Sequence, residues 1–243
     1  MSTQPPVEPR LEQHLQSRFA ALQLPLDGQA LVRYRTYFNY LEEMNQVMNL
    51  TAISGETDVA QLHFLDCAVI AAQLPLNGRR VIDVGTGAGF PGLALKIVCP
   101  EMELTLLDSL DKRINFLKSC CTRLDFSDVT CLHARAEEAP AQMRESYDLA
   151  LSRAVARLNL LCELCLPCVK VNGYFVAMKG PDCSDEVKEA EKGISHLGGK
   201  VEAVRDYTVP GTDVVHSLVL IRKVRPTPSK YPRRWAQIKK TPL

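Results

Sequence analysis

The stretch that most restricts what this chain can become runs from Arg80 to Gly92 and reads Arg-Val-Ile-Asp-Val-Gly-Thr-Gly-Ala-Gly-Phe-Pro-Gly. The run Val81 to Val84 predicts a short buried strand. Gly85, Gly87 and Gly89 let the chain turn sharply with its backbone bare, so a flat or narrow molecule can lie against it. Pro91 suits the first turn of a helix that continues through Leu93, Leu95 and Ile97. Strand, glycine loop and helix in that order form a nucleotide-cofactor fingerprint in an α/β sheet.

Charge then discriminates among cofactors. Gly87, Gly89 and Gly92 satisfy G-x-G-x-x-G, which taken alone is compatible with NAD or FAD. Asp83, two residues before the first glycine, would place a carboxylate near any pyrophosphate on the loop, and like charges that close repel. S-adenosylmethionine has no phosphate and presents a cationic sulfonium and ammonium. The reading therefore favours S-adenosylmethionine over a dinucleotide, with a purely structural turn as the third alternative.

The 243 residues, 46% hydrophobic, are enough for one sizeable α/β domain with an extension, and too few for two ordinary domains to be the starting assumption. Glu163 and Lys170 interrupt the longest apolar stretches, so none reaches membrane-spanning length. The N-terminus lacks the pattern of a secretion signal, and a cytoplasmic protein is expected. Nine cysteines, an odd number scattered through apolar runs, suit reduced buried thiols. Cys162, Cys165 and Cys168 have the C-x-x-C-x-x-C spacing of an iron–sulfur segment but no fourth ligand nearby. The same three fall on one apolar helix face among Leu160, Leu161, Leu164 and Leu166, so a core role is expected and no metal site.

Residues 1 to about 10, with three prolines, are expected to be loosely attached. Helical periodicity follows from Leu11 to Leu24 and from Gln29 to Met48, and a third helix is expected from Thr57 to Leu74. Asn49 and Thr51 read most simply as helix-end and turn formers, and His63 as a satisfied histidine; each has a cofactor-facing alternative. Beyond the glycine loop, strands are expected at Glu103 to Leu107, Val129 to Leu132, Tyr147 to Ala154 and Gly173 to Gly180, with a terminal antiparallel pair at Val201 to Thr208 and Val214 to Ile221. Asp108, at the tip of the second strand and about 20 residues past the loop, is placed to accept hydrogen bonds from ribose hydroxyls. In the loop after the third strand, Ala136 is small enough to admit an adenine and Glu137 could bond the ring edge. Arg153, at the tip of the fourth strand, suits guanine or phosphate rather than proton abstraction, because an arginine stays charged. Lys179, at the tip of the fifth, is either an RNA contact or a solvated strand end.

Charge is concentrated at one end. From Arg222 to Leu243 there are eight Lys or Arg and no Asp or Glu; setting those eight aside leaves −7 on the rest of a chain whose net charge is +1. Lys230, Tyr231, Arg233, Arg234, Trp235, Lys239 and Lys240 interleave cations with rings, the parts of a single-strand RNA surface. The elements together fit a class I methyltransferase fold: an α/β, Rossmann-like doubly wound sheet with its terminal strand antiparallel. The expected division is an N-terminal helical extension over 1–76, a methyltransferase domain over 77–224 and a basic tail over 225–243 packing on or beside the RNA site.

Asn49-Leu50-Thr51, His63-Phe64-Leu65-Asp66, Asp83 through Gly92, Leu107-Asp108-Ser109, Ser152-Arg153-Ala154, Ala177-Met178-Lys179-Gly180 and Tyr231-Pro232-Arg233-Arg234 occur in an order and spacing that resemble the RsmG (GidB) family. The resemblance runs from about Leu31 to the C-terminus; Cys67 stands where that family often has serine. It implies an S-adenosylmethionine-dependent enzyme methylating N7 of a guanosine in the 530 loop of 16S rRNA, position 527 in conventional numbering. The implied cofactor shell is Gly85, Phe90, Asp108, Ala136, Glu137 and Arg153, which moves Arg153 at least partly to the cofactor; Asp83, Gly87, Ser109 and Leu110 complete the expected set. Guanine N7 carries a lone pair and no proton, so no residue is expected to act as general base. The acceptor-side candidates, Arg135, Lys179, Arg233 and Arg234, would only position RNA. The implied partner is 16S rRNA or the small ribosomal subunit, met by a monomer. The alternatives from other classes are a dinucleotide-dependent oxidoreductase and a non-catalytic RNA-binding protein.

Overall fold

The computed structural model describes residues 11–139, 141–153 and 155–243; the expectation for residues 1–10 and the Ala154 position of the fourth strand lie outside the described residues. Four helical segments precede the sheet: α1 (Leu11–Ala21), α2 (Gly28–Met48), α3 (Glu56–Val59) and, after a π-helical turn at Ala60–Leu65, α4 (Asp66–Gln73). Asp27 starts α2 by accepting a hydrogen bond from the Ala30 amide at 2.7 Å, and Asn49 ends it in the left-handed conformation. Asn49 thus has the helix-end role expected of it.

The sheet follows as β1 (Arg80–Val84), α5 (Gly92–Val98), β2 (Glu103–Asp108), α6 (Asp111–Arg123), β3 (Thr130–His133), β4 (Tyr147–Arg153), α7 (Leu158–Cys165), β5 (Val169–Lys179), α8 (Ser184–His196), β6 (Gly199–Thr208) and β7 (Val215–Lys223), closed by α9 (Trp235–Lys240). Its order is β3-β2-β1-β4-β5-β7-β6. The first five strands are parallel, and β7 runs antiparallel between β5 and β6. The terminal pair is antiparallel as expected, with β7 rather than β6 joining the main sheet. β1 and β4 are buried almost end to end, as parallel strands covered on both faces must be, whereas the edge strand β6 alternates.

One face of the sheet packs on α2, α5, α6 and the N-terminal helices in a continuous apolar core that includes Tyr34, Tyr37, Phe64, Leu93, Leu106 and Leu117. The other packs on α7, α8 and α9 and takes in Cys162, Cys165 and Cys168, all buried among leucines. Those three cysteines are core, and among the described residues no group of His, Cys, Asp or Glu is arranged to hold a metal. No helix among the described residues is long and apolar enough to cross a membrane.

Candidate functional site

The reversal of strand order between β1 and β4 opens a crevice at the carboxyl ends of the strands, the usual ligand position in such sheets. The glycine loop forms its floor. Gly85 has φ +71°, and a Cβ there would come within 2.6 Å of the Val155 side chain; Gly89 has φ +103°, and a Cβ would meet the Tyr37 hydroxyl at 2.5 Å. No other residue fits either position without strain. The Gly85 and Thr86 amides donate to the Leu107 carbonyl at 2.8 and 3.1 Å, tying the loop to the tip of β2.

Asp83 supports this loop from below rather than facing a ligand. It is fully buried, and its Oδ2 accepts from Thr86 Oγ1 at 2.7 Å and from the Gly92 amide at 2.8 Å. Burial pushes its carboxyl up to about 6, against the pull of those two hydrogen bonds. It does not line the cavity above. The expectation that Asp83 contacts the cofactor is therefore corrected: its carboxylate is a brace that holds the loop through Thr86 and Gly92.

The acid that faces the ligand space is Asp108. Its Oδ1 accepts from the Leu110 amide at 2.9 Å and its Oδ2 from the Gly87 amide at 3.0 Å, with the Arg113 guanidinium at 3.4 Å. Asp108 lines a cavity of about 420 Å³ together with Thr51, His63, the bare backbone of Gly85 to Gly87, Phe90, Ser109 and Arg153. Leu110 does not line it; that residue is exposed and contributes its amide to Asp108. Beside this cavity lies a narrower one of about 120 Å³, which shares Gly85, Asp108, Ser109 and Val155 with it and adds Ala136, Glu137, Arg135 and Trp235. Glu137 holds Arg135 at 2.5 Å through one oxygen and has a second, and Arg135 stands 6.0 Å from the Trp235 ring.

On the opposite side, a third cavity of about 410 Å³ shares His63 and Arg153 with the first. Arg153 is the dividing post. Its guanidinium donates to the Leu62 carbonyl and Asp66 Oδ2, each at 3.1 Å, and to His63 Nδ1 at 2.8 Å, and stands 5.0 Å over the Phe90 ring. His63 stacks on Phe90 at 4.2 Å and reaches Thr51 Oγ1 with Nε2 at 2.9 Å. Burial, then the neighbouring Arg153 cation, push the His63 imidazole down to about 3. With Nδ1 accepting from Arg153, Nε2 carries the proton. The π-helical turn at Ala60–Leu65 carries His63 here, and such turns recur at functional sites.

Four cations expected on the acceptor side separate. Lys179 donates to the Ala156 carbonyl at 2.8 Å and to Glu186 at 2.7 Å, so its ammonium is committed within the fold. Arg233 is likewise committed, by a bidentate pair with the fully buried Glu163. Arg135 lies beside the narrow cavity of Ala136 and Glu137, away from the third cavity. Arg234 is exposed at the start of α9. Thr51, weighted toward a turn role by its local hydrogen-bonding habit, holds both: Asn45 clamps its amide and carbonyl while its hydroxyl lines the first cavity. Asp66 and His216 were not singled out as site residues. Asp66 closes the His63-Phe64-Leu65-Asp66 motif, His216 lies in no motif, and only the folded chain joins them.

The residues of the narrow and central cavities fit S-adenosylmethionine: a bare glycine cradle that a Cβ at Gly85 would fill, an acid, Asp108, bonded to the Gly87 amide of that cradle, and a small residue, Ala136, beside a second acid, Glu137.

The family model for GidB, rRNA small subunit methyltransferase G, matches residues 31–213. The ribosomal RNA small subunit methyltransferase G of Clostridium botulinum (strain 657 / Type Ba4) is 44% identical over 232 residues, 94% of this chain and 97% of that protein. Its counterpart in Alkaliphilus metalliredigens (strain QYMF) is 46% identical over 221 residues, 90% and 92% of the two chains. Among solved structures, a mutant of the 16S rRNA (adenine(1408)-N(1))-methyltransferase from Catenulisporales acidiphilia aligns with TM-score 0.51 at 14% identity, covering 63% of this chain and 88% of that one. M. jannaschii TYW2 in complex with AdoMet aligns with TM-score 0.51 at 11% identity, covering 61% and 70%. These last two likenesses are of fold.

Proposed function

Because this chain belongs to the GidB family of rRNA small subunit methyltransferases, we propose that it methylates N7 of one guanosine in the 530 loop of 16S rRNA. Membership makes it an S-adenosylmethionine-dependent methyltransferase of 16S rRNA; the nucleotide and the atom are our reading. The observation that carries it is the line of three cavities, each sharing residues with the next, along the tips of β2, β1, β4 and β5.

In this reading Ala136 and Glu137 take the adenine, Asp108 and Ser109 the ribose, and the loop from Gly85 to Gly87 with Phe90 the methionine portion. Arg153 shapes the far wall, and Asp83 and Leu110 act through the backbone. When bound, S-adenosylmethionine supplies a methyl group activated by a sulfonium. The chain's own work is alignment. Phe90, stacked between His63 and Tyr37 and facing the Arg153 guanidinium, fixes that wall. His63, neutral and with both nitrogens engaged, takes up no proton near neutral pH, which suits an acceptor nitrogen that needs none removed.

RNA contact is assigned to the exposed cations of the basic end, Arg234, Lys230, Lys239 and Lys240, and to Arg135 beside Trp235. We further propose that the protein works as a cytoplasmic monomer on the small subunit or its RNA.

The test is to incubate the protein with tritiated S-adenosylmethionine and small subunits lacking the modification, then map the labelled nucleotide. Label at a single guanosine of the 530 loop, released by N7-directed depurination, is expected. Label on another base or atom overturns the assignment.

A further inference from the structure

The third cavity contains a histidine that the fold has oriented. His216, near the start of β7, faces Asp66 on α4 with its Nδ1 at 2.9 Å from Oδ1. The same Asp66 oxygen accepts from the Tyr207 hydroxyl at 2.7 Å, and Oδ2 accepts from Arg153 at 3.1 Å. Asp66 is buried and surrounded by donors, so it is an acceptor in every one of these contacts. Nδ1 of His216 must therefore carry the proton, and in the neutral ring Nε2 is left as a bare acceptor. No hydrogen bond to Nε2 is formed among the described residues, and the ring lines the cavity.

Ile53, Leu62, Met178 and Val214 form apolar walls of a space of about 410 Å³, and the other polar side chains that line it are bonded within the fold, Arg153 to Asp66 and His63 and Lys179 to Glu186. Apolar faces around the unbonded Nε2 of His216 describe a slot for a flat ring recognised along one edge. The slot opens at the tips of β4 and β5, beside the cavity assigned to the methyl donor, with His63 and Arg153 common to both.

We infer that this cavity receives the extruded target guanine and that His216, oriented by Asp66, reads its Watson–Crick edge by accepting a hydrogen bond from N1–H. The inference rests on the proposed guanine-N7 reading. If N7 is directed toward the methyl donor, the Watson–Crick donors project away from it, toward the far part of the cavity. Bases taken out of a helix are commonly read along that edge. An acceptor at Nε2 rewards guanine, whose N1 carries a hydrogen, and opposes adenine-like rings, whose N1 is itself an acceptor. His216 is thus a specificity-determining residue, Asp66 the positioning residue behind it, and Tyr207 a second support for that carboxylate.

The experiment compares the wild type, His216→Ala and His216→Gln on small subunits reconstituted with guanosine or 2,6-diaminopurine riboside at the mapped position. The second base keeps N7 and the 2-amino group but has no hydrogen on N1. Cofactor affinity is measured by calorimetry and folding by urea denaturation. In His216→Ala, kcat/KM on guanosine should fall about 10- to 100-fold, the range for one well-placed reader of a base, with cofactor affinity and the urea midpoint unchanged. The preference for guanosine over 2,6-diaminopurine should narrow in proportion, and His216→Gln, which offers an amide oxygen, should recover part of both. A ratio of rates on the two bases cancels their different intrinsic reactivity. Wild-type rate and preference in His216→Ala would overturn the inference, as would a loss of transfer that tracks a loss of cofactor affinity or folding in both variants. Failure of the underlying reading is separate: it shows in the wild type alone, as label on a base other than guanosine.

Discussion

At the scale of single residues, the site is governed by burial, which local sequence does not reveal. His63 and Asp83 are both buried ionisable groups shifted in the direction of the neutral form. Their effects on stability have opposite signs. His63 is depressed from its ordinary 6.5 to about 3, so its contribution is present above 6.5 and is lost as pH falls toward 3. Asp83 is raised from its ordinary 3.8 to about 6, so its contribution is present below 3.8 and is lost as pH rises through 6. The two partly cancel between pH 4 and 6. The difference between the wild type and His63→Phe isolates the histidine, since Asp83 is common to both. That difference in unfolding free energy should change by up to about 1.4 kcal/mol per pH unit below pH 6.5, in the direction of wild-type loss. Urea midpoints from pH 4.5 to 7 measure it, and a flat difference would mean that His63 titrates normally. Burial, which local sequence does not show, is also what makes Asp83 a brace beneath the loop and what pairs His216 with a distant acid. That acid, Asp66, is 150 positions away in sequence.

At the scale of elements, the parallel strands were legible because a strand covered on both faces must be an apolar run, and the glycine loop because a bare backbone requires glycine. The place of β7 between β5 and β6 was not, since a hairpin sequence specifies its own pairing but not which arm meets the sheet. Nor was the reach of α2. Its helical period predicted a packed face, and that face includes two buried hydroxyls: Tyr34 donates to the Ala94 carbonyl at 3.0 Å and Tyr37 to the Ala88 carbonyl at 2.6 Å. Ala88 belongs to the glycine loop, so the N-terminal helices hold that loop directly. Tyr37→Phe keeps the ring stacked on Phe90 and removes only that bond. It should weaken S-adenosylmethionine binding about 2- to 10-fold, corresponding to a net hydrogen bond of about 0.5–1.5 kcal/mol, with little loss of stacking. Calorimetry decides: unchanged affinity would reduce α2 to a packing element.

At the scale of the whole molecule, the C-terminal segment is stitched to the fold rather than trailing from it, and this decides how its charge can be used. Tyr231 and Ile238 are buried, Arg144 donates to the Tyr231 and Thr227 carbonyls at 2.6 Å, and Arg233 grips Glu163 on α7 from both its backbone amide and its guanidinium. Arg233 is thereby committed to anchoring, as the buried Lys223 is by Glu145 and the Leu166 and Val169 carbonyls, and Lys230, Arg234, Lys239 and Lys240 are carried on a fixed support. Arg233→Ala removes the partner of a fully buried carboxylate, a loss of about 3–5 kcal/mol in comparable cases. Replacing both members, as in Glu163→Leu with Arg233→Leu, leaves no orphaned charge and should be markedly less destabilising. If the two variants lose equal stability in urea titrations, the cost lies in the packing of α9 and not in the stranded carboxylate. In either variant, protease cleavage between Arg225 and Lys240 should precede global unfolding. An anchored tail also predicts that RNA binding in the double variant loses affinity through disorder of Lys230, Arg234, Lys239 and Lys240, although all four cations remain. A rigid array neutralises phosphates without first having to be ordered, and a loosened one must lose that freedom on binding.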